Sequence, residues 1–189
     1  WWESNPMRYD WREALGVEEF SEEFYDEIDR RFFEVVATFM PWKRVPFDNL
    51  IDFDALGNKD VLEIGVGNGS HAQLLAQHAK SYNGVDLTDY AIHSTTKRLE
   101  VRGLSEHATL TRMDAENLEF PDESFDFVWS WGVIHHSSHT EKIVQQIKRV
   151  LRPGGRAKVM VYHRNWWNYY VASALLRGII QGQLFKGMS

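Results

Sequence analysis

The sequence predicts an α/β protein built around a mainly parallel sheet. Two observations carry this. From Asp60 onward, short runs of β-forming residues alternate with segments of helical period, as a parallel sheet with crossover helices requires. The first of those runs, Val61-Leu62-Glu63-Ile64, enters three glycines on alternate positions, Gly65, Gly67 and Gly69, and a helical pattern follows at once. The 189 residues suit one sizeable core, and 43% apolar with 25% charged residues is ordinary for a globular chain.

The elements follow in order. Residues 1–16 are aromatic and irregular. Between Val17 and Met40 the positions Phe20, Phe24, Ile28, Phe32, Val35 and Phe39 recur every three or four residues, which predicts an amphipathic helix stopped by Pro41. Residues 41–59 read as a connector. Residues 1–54 thus form an N-terminal aromatic segment and a lid or cap helix, and residues 55–189 a ligand-binding core. Strands are expected at Asp60–Ile64, Tyr82–Asp86, Ala108–Met113, Phe125–Trp131 and Arg156–Tyr162. Ala72, Leu75, Ala76 and Ala79 mark one intervening helix face; Ile92, Thr95 and Leu99, with Thr88 as N-cap, mark a second. A third helix is bounded by a capping box at Ser138 and Glu141 and by Pro153-Gly154-Gly155. The stretch from Trp166 to Ile180, interrupted by Asn168, Ser173, Arg177 and Gly178, is too short to span a bilayer and reads as a further soluble helix.

Composition narrows the function. A net charge of −6 without a Lys/Arg cluster argues against nucleic acid as partner. The absence of cysteine excludes disulfides, thiolate metal sites and a cysteine nucleophile, and suits a cytoplasmic protein. No metal-ligand spacing stands out.

The chemistry gathers at strand ends. Glycines after a buried strand let a ligand press on backbone N–H groups at a helix N-terminus. Asp86 ends the second strand, 17 residues after Gly69, where a carboxylate can accept both hydroxyls of a ribose. Asp114 ends the third, and Ser130-Trp131-Gly132 leaves the fourth. In open α/β sheets ligands bind in the crevice past the carboxyl ends of the strands. A dinucleotide fingerprint would place its third glycine one position later, where Ser70 stands.

With these residues the sequence closely resembles the class I S-adenosylmethionine-dependent methyltransferases, in particular the small-molecule group containing ubiquinone-biosynthesis-like enzymes. The resemblance covers roughly residues 55–163. It rests on Glu63-x-Gly65-x-Gly67-x-Gly69, Asp86, Asp114-Ala115, Ile134-His135-His136 and Leu151-Arg152-Pro153-Gly154-Gly155.

The resemblance implies a Rossmann-like three-layer sandwich with strand order 3-2-1-4-5. It implies S-adenosyl-L-methionine as cofactor, S-adenosyl-L-homocysteine as product and a small-molecule methyl acceptor. Gly65, Gly67 and Gly69 would line the methionine portion, with Glu63 near its amino end. Asp86 would hold the ribose hydroxyls, Leu87 would pack on the adenine, and Asp114 with the Ala115 N–H would read its edge. Ser130 would offer its carbonyl to the ammonium group.

His135 and His136 stand beside the expected methyl position, where a histidine can take a proton near neutral pH. Alternatively, one ring packs in the loop and the other caps the following helix. The N-terminal segment is expected to fold over the site as a lid, with Tyr25 and Arg31 as candidate contacts, and Trp131 and His163 as candidates on the acceptor side. A complete domain of this family has seven strands, and the last two are not found here. The expectation is therefore a partial representation of a longer protein, or an oligomer or partner covering the fifth-strand edge. The competing readings are a protein or nucleic-acid methyltransferase, and a non-catalytic methyltransferase-like binding module.

Overall fold

A computed structural model describes Glu3 and residues 16–162. Its sheet has five parallel strands: β1 (Asp60–Ile64), β2 (Ser81–Asp86), β3 (Ala108–Arg112), β4 (Phe125–Trp131) and β5 (Leu151–Met160). Their order is β3-β2-β1-β4-β5, as the family resemblance implied. The helices are α1 (Glu22–Ala37), α2 (Ser70–His78), α3 (Asp89–Val101) and α4 (Thr140–Val150).

Side chains of successive strand residues point to opposite faces, so β1 divides the core. Val61 joins Leu75, Leu99, Trp129 and the N-terminal residues Phe32, Val36, Phe47 and Phe53 in one cluster. Leu62 and Ile64 join Val128, Ile143, Ile147 and Val150 beneath α4 in another. The result is helices, sheet, helix in three layers.

At the open ends of β1 and β4, Arg152 bridges Asp60 (2.8 Å) and Asp126 (2.7 Å), and Asp126 also accepts the Asp60 N–H at 2.9 Å. This ties β1, β4 and β5 at the end remote from the glycines. Among the described residues no helix is long and apolar enough to cross a membrane.

Several details differ from the sequence expectation. Helix α1 begins at Glu22, because the Ser21 side chain accepts the Phe24 N–H and sets the N-cap there. Its buried stripe is Phe24, Tyr25, Ile28, Phe32 and Val36, while Val35 and Phe39 point outward at 59% and 66% exposure. The Ser138/Glu141 capping box does not form. His139 is the N-cap residue and its side chain makes no capping bond to the helix, and the Ser137 hydroxyl instead accepts the His139 N–H and donates to Glu116. Finally, β5 starts directly after α4, so Pro153-Gly154-Gly155 lies inside the strand, where its register against β4 shifts between Phe125 and Phe127. Gly154 takes a φ of 80°, which a bulge on an outer strand accommodates. Thr88 caps α3 as expected, accepting the Ala91 N–H at 3.2 Å.

Candidate cofactor and acceptor site

The glycine loop joins β1 to α2, and all three alternate glycines have positive φ: 84° at Gly65, 54° at Gly67 and 79° at Gly69. L-residues avoid that region, so the loop path needs glycine. The surroundings differ. A Cβ on Gly65 would strike Val133, and one on Gly69 would crowd Thr95 and Arg98, whereas one on Gly67 would meet nothing within 4 Å. Gly67 is thus the open tip, where another molecule can approach backbone closely.

Asp86 stands beside that tip. Its carboxylate accepts the Gly67 N–H at 3.2 Å, the Thr88 N–H at 3.0 Å and the Thr88 hydroxyl at 3.0 Å. The same residue therefore holds the loop in place and can meet a ligand lying along it. The Met113 N–H donates to the Asp86 carbonyl at 2.9 Å, which brings the neighbouring Asp114 to the same edge. Asp114 accepts the Glu116 N–H at 2.9 Å and organises the turn that carries Ala115. Leu87 follows Asp86 and is 57% exposed, an apolar surface open to a planar group.

Glu63 lies under the loop and is 1% exposed. One carboxylate oxygen accepts the Tyr82 hydroxyl at 2.6 Å; the other has no hydrogen-bond partner among the described residues. His71 Nδ1 stands 3.7 Å from that second oxygen. Burial raises Glu63 to about 8, the Asp86 charge adding to it against the opposing Tyr82 hydrogen bond, and burial lowers His71 to about 3. Both side chains are therefore neutral near pH 7. The His71 ring sits among Phe47, Phe32, Trp129 and Trp131, with centroids 4.7–5.8 Å away. It is a packing residue.

Ser130 is buried near the end of β4, and its hydroxyl donates to the Ile64 carbonyl at 3.0 Å, clasping the two strand ends around the loop. Trp131 is partly buried and stacks on Trp129 at 5.6 Å. A 3₁₀ turn at Ile134–His136 follows. The His135 ring lies 4.2 Å from that of His136 and 4.4 Å from that of Tyr162, centroid to centroid. Neither His135 nitrogen has a hydrogen-bond partner among the described residues. Burial, and secondarily the neighbouring His136, lowers its pKa, which keeps it in the form that accepts a proton.

The lid candidates take different places. Tyr25 is fully buried and donates its hydroxyl to the Ser94 carbonyl at 2.7 Å, so it anchors α1 to α3. Arg31 pairs with Glu27 at 2.7 Å along α1. His163 and the apolar stretch from Trp166 lie outside the described residues.

A five-stranded parallel sheet with a glycine loop, and acids at the ends of its first three strands, defines the class I S-adenosylmethionine-dependent methyltransferase fold. Comparison with known proteins agrees: residues 62–159 match the methyltransferase domain family, and the chain belongs to it. It is 37% identical over 135 residues to a phthiotriol/phenolphthiotriol dimycocerosates methyltransferase of Mycobacterium tuberculosis, covering 68% of this chain and 48% of that protein. It is 35% identical over 103 residues to a phosphatidylethanolamine N-methyltransferase of Cereibacter sphaeroides, covering 54% and 50%. The chain thus spans about half the length of the curated relatives it matches. Among solved structures it resembles an S-adenosylmethionine-dependent methyltransferase from Mesorhizobium loti, with a TM-score of 0.52 at 23% identity, over 57% of this chain and 49% of that one. That likeness is one of fold.

Proposed function

We propose that this chain is the cofactor-binding part of an enzyme that moves a methyl group from S-adenosylmethionine to a small-molecule acceptor. The observation that carries this is the open, positive-φ tip at Gly67 with the Asp86 carboxylate on its N–H, together with an unpartnered oxygen on Glu63, buried at the end of the strand that enters the loop. These groups suit the cofactor: backbone N–H groups for its methionine end, an acid for its ammonium, a carboxylate for its ribose, and the exposed Leu87 with Asp114 and Ala115 for its adenine. S-adenosylmethionine supplies a methyl group already activated on a sulfonium. The protein's contribution is then to hold the acceptor in line and to exclude water, and orientation supplies much of the acceleration. His135, neutral and without a described partner, is placed to take a proton from a hydroxyl or ammonium acceptor.

For the acceptor we infer a small molecule with a substantial apolar portion. The named relatives act on dimycocerosates and on phosphatidylethanolamine, and the aromatic ring of Tyr162 lies against His135, our candidate for the acceptor side. The net charge of −6 argues against a nucleic-acid acceptor.

Calorimetric titration with S-adenosylmethionine and S-adenosylhomocysteine, with NAD as control, tests the cofactor. Both sulfur compounds should bind and NAD should not. Asp86→Ala should weaken binding about tenfold or more, as loss of a charge-assisted hydrogen bond does. A folded chain that ignores both sulfur compounds would sink this reading and favour a methyltransferase-like module with another task. Transfer of labelled methyl to lipid-soluble rather than aqueous extracts tests the acceptor class.

A further inference from the structure

Helix α3 presents an unusual inner face. Ser94, Thr95 and Arg98 are all fully buried, where a helix against a sheet ordinarily places apolar side chains. Polar groups are costly to bury without partners, so their bonds indicate what they are for. The Thr95 hydroxyl donates to the Gly67 carbonyl at 3.0 Å, and the Ser94 hydroxyl donates to the Asn68 side-chain oxygen at 2.7 Å. A Cβ on Gly69 would come within 3.0–3.1 Å of Thr95 and of the Arg98 methylene chain. Three consecutive loop residues therefore rest on three residues of α3.

That face is itself held by α1. Tyr25 donates to the Ser94 carbonyl at 2.7 Å, and its ring lies 4.5 Å from the Arg98 guanidinium. Asp29 accepts two bonds from Arg98, at 2.7 and 2.8 Å, and also accepts from Ser70 at 2.7 Å and Gln73 at 2.6 Å in the first turn of α2. One carboxylate on α1 thus joins both helices that border the loop.

We propose that Ser94 and Thr95, braced by Tyr25 and Asp29 of α1, are positioning residues that set the glycine loop in its ligand-receiving shape. The N-terminal helix then contributes to cofactor affinity from behind the loop, without touching the cofactor. This rests on the cofactor reading above. The Gly67 carbonyl faces Thr95 and its N–H faces Asp86, so the two contacts hold the peptide groups on either side of one Cα, and losing the first loosens the residue whose N–H the second aligns.

The test compares Thr95→Val, which removes the hydroxyl at nearly constant volume, with Thr95→Ser, which keeps it, and with Ser94→Ala as a second, smaller change. Each is measured for melting temperature, for S-adenosylhomocysteine affinity, and for amide hydrogen exchange at Gly67, Asn68 and Gly69 without ligand. Thr95→Val should remain folded and bind about three- to tenfold more weakly, the range one hydrogen bond supplies, with faster exchange in the loop. Thr95→Ser should restore both. A lowered melting temperature with unchanged affinity and exchange would overturn the proposal and leave α3 as packing alone. If the unaltered chain binds neither sulfur compound, the cofactor reading fails, and unchanged loop exchange in Thr95→Val and Ser94→Ala would separately overturn the brace.

Discussion

Glu63 shows how one buried side chain ties chemistry to pH. An ionised carboxylate that deep needs a cation, and the nearest guanidinium, Arg98, is already paired with Asp29. The other groups around Glu63 offer no charge to balance it: Tyr82 on β2 donates a neutral hydroxyl, His71 on α2 stays unprotonated, and Asp86 repels. Arrival of a cofactor ammonium at the unpartnered oxygen would favour the ionised form. Near pH 7 cofactor binding should therefore release about one proton. Calorimetry in buffers of different ionisation heat measures that number, and Glu63→Gln should abolish it; an unchanged proton count in the variant would refute the assignment. His135 makes the corresponding prediction for turnover. If a proton leaves the acceptor in the slow step, His135→Ala should lower the methyl-transfer rate by about 10²- to 10⁴-fold with cofactor affinity unchanged.

Among the elements, α1 is held by a buried ion pair rather than by its apolar stripe alone. Arg98 is fully buried and Asp29 is 14% exposed. Removing one partner leaves an uncompensated charge in low dielectric, which typically costs about 3–5 kcal/mol. Asp29→Ala should lose about that much in urea unfolding, while the double change Asp29→Ala with Arg98→Met should be less damaging than Asp29→Ala by itself. Additive effects would show that the pair is not coupled. The α3 face that receives α1 was legible only in part: Thr95 and Leu99 are buried as expected, but together with Ala91, Ser94 and Arg98, while Ile92 is only partly buried. The spacing of that set is helical, and only its polarity hid it. Thr88, in contrast, was legible as the cap, because an N-cap is decided within four residues.

For the whole molecule, Glu63 and His71 shape stability against pH in opposite directions. The folded state holds the Glu63 proton more tightly than the unfolded chain, at about 8 against 4.5, so stability is lost as pH rises between those values. It holds the His71 proton less tightly, at about 3 against 6.5, so stability is lost as pH falls below about 6.5. Thermal unfolding across pH should show Glu63→Gln flattening the alkaline flank and His71→Phe flattening the acid flank. Two unaltered flanks would mean that neither group is buried in its described state. At the same scale, β5 closes one end of the described sheet, and Val159 near its end is 39% exposed.

The sequence by itself determined the α/β class, β1 and β4 to the residue, the glycine loop, and the acids at the strand ends. All of these follow from short-range rules: short β-forming runs buried almost throughout, glycine's freedom at positive φ, and turns that place the next residue at the sheet's edge. The tertiary structure decided which helix faces are buried, that Val36 and not Val35 turns inward, that β5 runs straight out of α4, and that Tyr25 and Asp29 meet α3 across 69 residues of chain. It also decided the burial that raises the Glu63 carboxyl above its ordinary range. A side chain's burial and partners depend on elements far away in sequence, and local periodicity records neither.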